Sequence, residues 1–422
     1  MRFGVFYELQ LPKPWSEDDE HRLVHEALDQ ITLADQLGID YAWAVEHHFL
    51  DEYSHCSSPE TLLAAAAGRT KTIKLGHGIR QVIPQYNHPA RTAETVSMLD
   101  LVSNGRAQLG FGEGATRMEL HGFNIPAKEK RAMAIDAVEQ IANMMTMTPY
   151  PGYDGPYFSM PARNVIPKPM QKPHPPLWMA CSNRDTIRIA ASLGVGALAF
   201  AFVNPEEAKH WADIYYGTIM SDACVPVGHA VNANIAMVSS FSIHPDRSEA
   251  IRRGQDGFEF FGYALASLVT KDTVPGRTTL WRDFHDIRGN KTEEIVRTAA
   301  LDPQYAAGIG TEDDVRRHLH EFERAGVDQV ILLQQAGRNP HDQIVESMHR
   351  FAEGILPEFK AKAEAREQAK AERLAPFIAA ALQRKTWMAP LPDDAIPVIR
   401  ASVTRDKFVA RRPGKVAQNE DV

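Results

Sequence analysis

Asp40-Tyr-Ala-Trp-Ala-Val-Glu-His-His-Phe49 is an apolar β-run that ends in a carboxylate and two imidazoles. Strands of a parallel α/β barrel are greasy along their length and carry reactive groups at their C-terminal ends, where the site opens. The stretch therefore predicts a barrel strand and makes Glu46, His47 and His48 candidate functional residues. A lone Glu-His-His fits solvated capping of a strand equally well. The other strand ends break the tie.

Outward from this stretch, strand and helix signals alternate. Arg2–Tyr7 reads as the first strand, and Ser16 followed by Asp19 opens an amphipathic helix through Leu37 that Gly38 closes. Ser58-Pro59 starts the helix holding Leu62–Ala67, Thr72–Ile83 is the third strand, and His88-Pro89 begins a helix to about Leu101. Arg106–Phe111 is the fourth strand, with a helix from about Glu129 to Met145 behind it. Pro149–Pro176, rich in Pro, Gly and aromatics, is expected to be an inserted loop or hairpin. Four more strands follow at Pro176–Cys181, Val195–Phe200, Val231–Phe241 and Gln329–Leu333, with helical segments between and after them. Val269–Gly310 shows no clear period and reads as a long excursion near the barrel mouth, with Trp281, Phe284 and His285 as candidates for a lid.

Eight strand–helix units predict parallel strands and right-handed crossovers. The expected fold is an α/β (β/α)8 TIM barrel over residues 1–359 with insertions near its mouth, an open doubly wound sheet being the alternative. Residues 360–422 are expected to form a C-terminal extension. Ala361–Lys385 is a strong helix former, and an irregular tail turns basic at Arg411-Arg412.

With 422 residues, 44% hydrophobic and 24% charged, the chain has the makeup of a soluble globular protein. A net charge of −8 without a long basic run argues against nucleic-acid binding and for a small organic substrate. Cys56, Cys181 and Cys224 are widely separated and show no paired metal spacing, which fits a reducing compartment. The N-terminus reads as a strand, not an export signal, and the apolar run Ile189–Val203 is too short to span a bilayer. A cytoplasmic location is expected.

Gly110-Phe-Gly-Glu-Gly114 lacks the spacing of a dinucleotide fingerprint. It reads instead as a place where a flat ring or another backbone passes close to the strand end, or as a tight turn. In Cys181-Ser-Asn-Arg-Asp-Thr186, Ser182 or Asn183 can cap the following helix, whose positive end can hold a phosphate with help from Arg184 or Thr186. Cys181 itself reads as a buried small residue. Arg80, Gln81 and Arg131 are further polar groups able to reach the mouth. A metal site built from Glu46, His47, His48, His55 and Cys56 ranks below a cofactor-using reaction, because adjacent histidines on extended chain point apart.

In this order Phe3-Gly-Val-Phe6, Glu46-His-His-Phe49, His88-Pro89, Leu99-Asp-Leu-Val-Ser-Asn-Gly-Arg106 and the glycine turn resemble the bacterial luciferase-like flavin monooxygenases. The resemblance runs to about Phe359. It implies a barrel that binds reduced FMN, usually supplied by a separate reductase, and reacts it with molecular oxygen through a flavin peroxide. It makes His47 and Glu46 the catalytic pair, and places Glu46, Gly78, Gly112, Glu113, Arg131, Cys181, Ser182, Asn183 and Thr186 at the cofactor. Arg131 and the Ser182–Thr186 segment match phosphate contacts. Gly112 stands where luciferase has a reactive cysteine, and Glu113 where it has a phosphate-binding arginine, so light emission is not implied. The family's habit also implies a homodimer, paired near Pro59–Arg69 and Pro89–Leu101. Deazaflavin-dependent hydride transfer and a non-catalytic flavin-binding subunit are the rival readings.

Overall fold

The computed structural model describes residues 1–399. The tail at Arg411-Arg412 lies outside the described residues. Twelve strands are present among them: β1 (Arg2–Tyr7), β2 (Tyr41–Ala44), β3 (Lys74–Gln81), β4 (Ala107–Gly112), β5 (Tyr150–Asp154), β6 (Ser159–Arg163), β7 (Leu177–Cys181), β8 (Gly196–Ala199), β9 (Ile235–Ser240), β10 (Ser242–Ile243), β11 (Ile309–Gly310) and β12 (Gln329–Gln335). Eight of them close a parallel barrel in the order β1-β12-β9-β8-β7-β4-β3-β2. This is the expected TIM barrel, not the open sheet. The Pro- and Gly-rich insertion is an antiparallel hairpin, β5 against β6.

The helices are α1 (Asp19–Gln36), α2 (Pro59–Ala67), α3 (Pro89–Val102), α4 (Arg117–Gly122), α5 (Lys130–Thr146), α6 (Arg184–Ser192), α7 (Pro205–Ile219), α8 (Arg247–Thr270), α9 (Leu280–Arg288), α10 (Lys291–Ala300), α11 (Glu312–Arg324), α12 (His341–Gly354) and α13 (Leu356–Arg384). Val269–Gly310 is thus not irregular. It contains α9, α10 and the short β11, which pairs with β10.

The barrel interior is filled by indole. Trp43 of β2 and Trp178 of β7 are buried edge to face, with ring centroids 5.4 Å apart. Their bulk is accommodated by glycine on neighbouring strands: a Cβ at Gly76 would lie 2.2 Å from the Trp43 ring, and one at Gly196 would lie 2.3 Å from that of Trp178. Large rings facing small residues pack the lower barrel solid, so a ligand has room only above them.

The N-terminal face of the barrel is crossed by α13. Arg2 pairs with Glu367 at 2.5 Å, Lys360 with Asp40 at 3.2 Å, Lys370 with Asp328 at 2.8 Å, and Lys385 with Glu139 at 2.9 Å. Phe359, Leu374 and Ala381 of the same helix are buried in the main core. The boundary expected after Phe359 falls inside this continuous helix.

Candidate active site

At the C-terminal ends of the strands lies an apolar cavity of about 260 Å3. Two outer clefts are wider, about 580 and 530 Å3, but are lined by surface charges already paired, such as Arg22–Asp19 and Lys209–Asp213. The barrel cavity is where buried titratable groups converge, and we take it as the site.

Past Ala44 the chain leaves the sheet, with Glu46 N donating to Ile79 O and His47 N to Cys56 O, both at 2.9 Å. This turns His47 into the cavity. Its Nδ1 lies 2.9 Å from Glu119 Oε1, its Nε2 lies 3.3 Å from Glu8 Oε1, and Tyr53 packs edge-on at 5.4 Å. Burial alone would push the imidazole down, but Glu8, Glu119 and Glu46 outweigh it and raise the pKa to about 9. Burial also raises Glu8, to about 7, against the pull of His47 and Tyr53. For Glu119 burial acts upward too, yet His47, Thr116 and the His48 amide together hold its pKa below the usual range.

His48 points elsewhere, its Nε2 3.2 Å from Glu46 Oε1 and its ring against Phe123 and Tyr86. The Glu46 carboxylate also accepts from Gln81 N at 2.9 Å and Asn87 Nδ2 at 2.8 Å. So engaged, it braces the strand ends. Arg80 turns away from the cavity to Glu60 and Asn87.

Glu46, His47, Gly78, Gly112, Glu113, Arg131, Cys181, Ser182 and Thr186 all line the cavity. Asn183 does not. It caps α6, accepting from Thr186 N at 3.0 Å, while Thr186 Oγ1 accepts from the Ser182 and Asn183 amides. Arg184 also faces away, onto Glu207 at 2.7 Å. Burial pushes the Cys181 thiol well up, in keeping with an inert residue. Arg131 reaches the cavity but is gripped by Glu113 through two bonds of 3.0 and 3.1 Å, with Lys130 3.5 Å from the same carboxylate. The rim near β7 thus offers two cations, the Ser182 side chain and a helix N-terminus, a set that suits an organic phosphate.

The glycine turn is explained by the expected close approach of another backbone at Gly110, and by a neighbouring side chain at Gly112. A Cβ at Gly112 would meet Ile79 Cδ1 at 2.5 Å, and one at Gly110 would meet the His77 carbonyl at 2.1 Å. The close neighbours are therefore β3's own side chain and backbone. The wall at Gly112 and Ile79 is left without a protruding group, as a flat ring requires. The lid residues differ from expectation. Trp281 and Phe284 pack behind α8 on Phe260, and it is Phe261 and Leu265 of α8 that face the cavity.

Glu8 and Glu119 are the functional candidates that the sequence reading missed. Glu119 carried a signal: Thr116-x-x-Glu119 is a capping signature, and Thr116 Oγ1 does accept from Glu119 N at 3.1 Å.

The fold and cavity define a (β/α)8 barrel enzyme whose site pairs an imidazole at an apolar end with a rim that carries two cations. Residues 1–329 match the luciferase-like monooxygenases, and the chain belongs to that family. It is 23% identical over 374 residues to the alkanal monooxygenase alpha chain of Photorhabdus laumondii, covering 86% of this chain and 99% of that one. To the oxygenase component of the flavin-dependent trigonelline monooxygenase of Acinetobacter baylyi it is 26% identical over 202 residues, 46% of this chain and 52% of that one. The chain thus spans about half the length of that relative. Among solved structures, monooxygenase RslO1 of Streptomyces bottropensis superposes with a TM-score of 0.69 at 25% identity, covering 85% and 100% of the two chains. The coenzyme F420-dependent tetrahydromethanopterin reductase of Methanopyrus kandleri shares the fold, with a TM-score of 0.59 at 21% identity, covering 85% and 99%. Among the described residues no helix is long and apolar enough to cross a membrane.

Proposed function

We propose that this chain is the oxygenase component of an FMN-dependent monooxygenase, served by a separate reductase and acting with molecular oxygen on a small or medium organic substrate. The observation that carries the reading is the division of one cavity. A protonatable imidazole held by two carboxylates stands at an aromatic end, and cations with a helix N-terminus stand at the other. Reduced FMN, when bound, would supply the electrons that activate oxygen. Its phosphate would be held by Arg131, Lys130, Ser182 and the amide end of α6, and its ring by the wall at Gly112 and Ile79.

The protein's own work is then to exclude water and manage one proton. Phe6, Phe111, Phe200 and Phe261 keep the cavity apolar. His47, oriented by Glu119, carries the proton at Nε2, the nitrogen turned toward Glu8 and the cavity. Glu46 positions this segment. Two copies are proposed to pair through α2 and α3, where Ala64 and Ala65 are exposed and where Met98, Leu101 and Val102 stand 41–52% exposed.

The test is anaerobic titration with reduced FMN and, separately, reduced coenzyme F420, followed by mixing with oxygen. Saturable binding of FMN, with hydrogen peroxide release slower than from free reduced FMN, is the expected result. Preferential binding of reduced F420, unreactive on oxygen mixing, would replace this reading with hydride transfer.

A further inference from the structure

Glu8 stands immediately past the end of β1, 2% exposed and on the cavity wall. Its Oε1 is enclosed, yet no donor is aligned on it for a hydrogen bond, although His47 Nε2 lies 3.3 Å away. The same cavity is lined by Phe6, Val45, Tyr53, Phe200 and Phe261, which offer aliphatic and aromatic surface and one hydroxyl, that of Tyr53, already set against the Glu8 carboxyl. A buried acceptor left without its donor costs free energy, so such a group is retained where something else satisfies it.

To His47, whose Nε2 lies 3.3 Å from Oε1, Glu8 supplies charge but not orientation. Glu119 already orients that ring through Nδ1. The phosphate-holding rim does not need Glu8. Strand order puts β1 four steps from β7 in both directions around the barrel, so Glu8 lies diametrically across the mouth from Ser182 and Thr186. What remains to donate an aligned hydrogen bond to Oε1 is the ligand that fills the apolar end.

We propose that Glu8 is the substrate-anchoring residue, and that the substrate carries a hydrogen-bond donor, a hydroxyl or an amine, on an otherwise apolar body. The donor is held by the Glu8 carboxyl, which sets the carbon bearing it beside His47. Bare hydrocarbons and esters lack the donor and leave Oε1 without a hydrogen bond, so they bind weakly. This rests on the oxygenase reading for what happens next, but the binding claim concerns the chain alone.

Benzyl alcohol, benzylamine and toluene share one ring and differ only in the donor. Ligand-detected NMR titration of the full chain, with FMN affinity measured in the same samples, compares them for wild type, Glu8→Leu and the near-isosteric Glu8→Gln. The alcohol or the amine should bind wild type at least about tenfold more tightly than toluene, the lower range for a hydrogen bond to a charged group. Glu8→Leu should erase that preference. Glu8→Gln, which keeps an acceptor but not the charge, should retain the alcohol and lose the amine, and so distinguishes the two donors. A preference unchanged in both folded variants, equal binding of toluene to wild type, or no saturable binding of either donor overturns the assignment. Donor preference without FMN binding would remove the flavin reading and leave Glu8's role supported. FMN binding without donor preference would remove Glu8's role alone.

Discussion

His47 owes its charge to its neighbours, and that gives the residue a testable pH signature. Its pKa is raised from 6.5 to about 9 in the fold, so the protonated ring contributes stability in full below about pH 6.5, and that contribution is lost as pH rises through about 9. The urea midpoint of wild type should fall across that window, and His47→Asn should flatten the fall. An equal slope in both would separate stability from this imidazole. On activity, His47→Ala should leave FMN binding nearly unchanged and lower turnover by roughly 10²–10⁴-fold, with reducing equivalents appearing as hydrogen peroxide. Full coupling of product to flavin oxidised in that variant would take His47 out of the reaction. At the rim, Glu113 holds Arg131 and would compete with a bound phosphate for it. Arg131→Ala is expected to weaken FMN binding about tenfold or more and exposed Arg117→Ala hardly at all, while Glu113→Ala should tighten it. Fluorescence titration of the three variants reads this directly, and identical affinities would contradict it. Glu46 and His47 were legible because they end an apolar strand. Glu119 lies 72 residues from its imidazole, a pairing made only once β2, β3 and β4 stand side by side. Glu8 obeys the same strand-end rule as Glu46, but a single carboxylate after one strand carries too little pattern to be read alone.

Among the elements, α9 shows how the excursion is fastened to the site. Glu52, fully buried a few residues past His47, accepts from Leu280 N at 2.7 Å and Trp281 N at 3.0 Å, and from Lys13 N at 3.0 Å. One carboxylate thus satisfies amides at the N-terminus of α9, where a negative charge also suits the helix dipole. Glu52→Ala should cost about 1–3 kcal/mol and speed hydrogen exchange at the Leu280 and Trp281 amides. Unchanged exchange there would mean that packing on α8 alone holds the helix. The sequence hid α9 and α10 because nine and ten residues give fewer than three turns of apolar stripe, as at Ile295, Val296 and Ala299, below the window in which a helical period stands out. The barrel strands were plain for the opposite reason. Buried on both faces, β2, β7 and β8 read as continuous apolar runs.

For the whole molecule, pairing of two copies through α2 and α3 has a simple outcome: Met98→Glu with Leu101→Glu should convert a dimer to a monomer in sedimentation at micromolar concentration, with the far-ultraviolet spectrum unchanged. A wild-type monomer under those conditions would refute it. The order of strands also has a consequence for how the chain is made. β1 hydrogen-bonds to β12, Arg2 opposite Gln329, and Arg2 is pinned in turn by Glu367 of α13. The ribosome therefore delivers one lip of the seam first and the other more than three hundred residues later. At 5–20 residues per second, β1 waits roughly 17–70 s with an unpaired edge. Until β12 emerges the nascent barrel is an open sheet with two sticky margins, the condition in which strands recruit the wrong neighbours. Molecular chaperones should therefore hold this chain longest just before Gln329 leaves the exit tunnel, and release it once the seam has zipped.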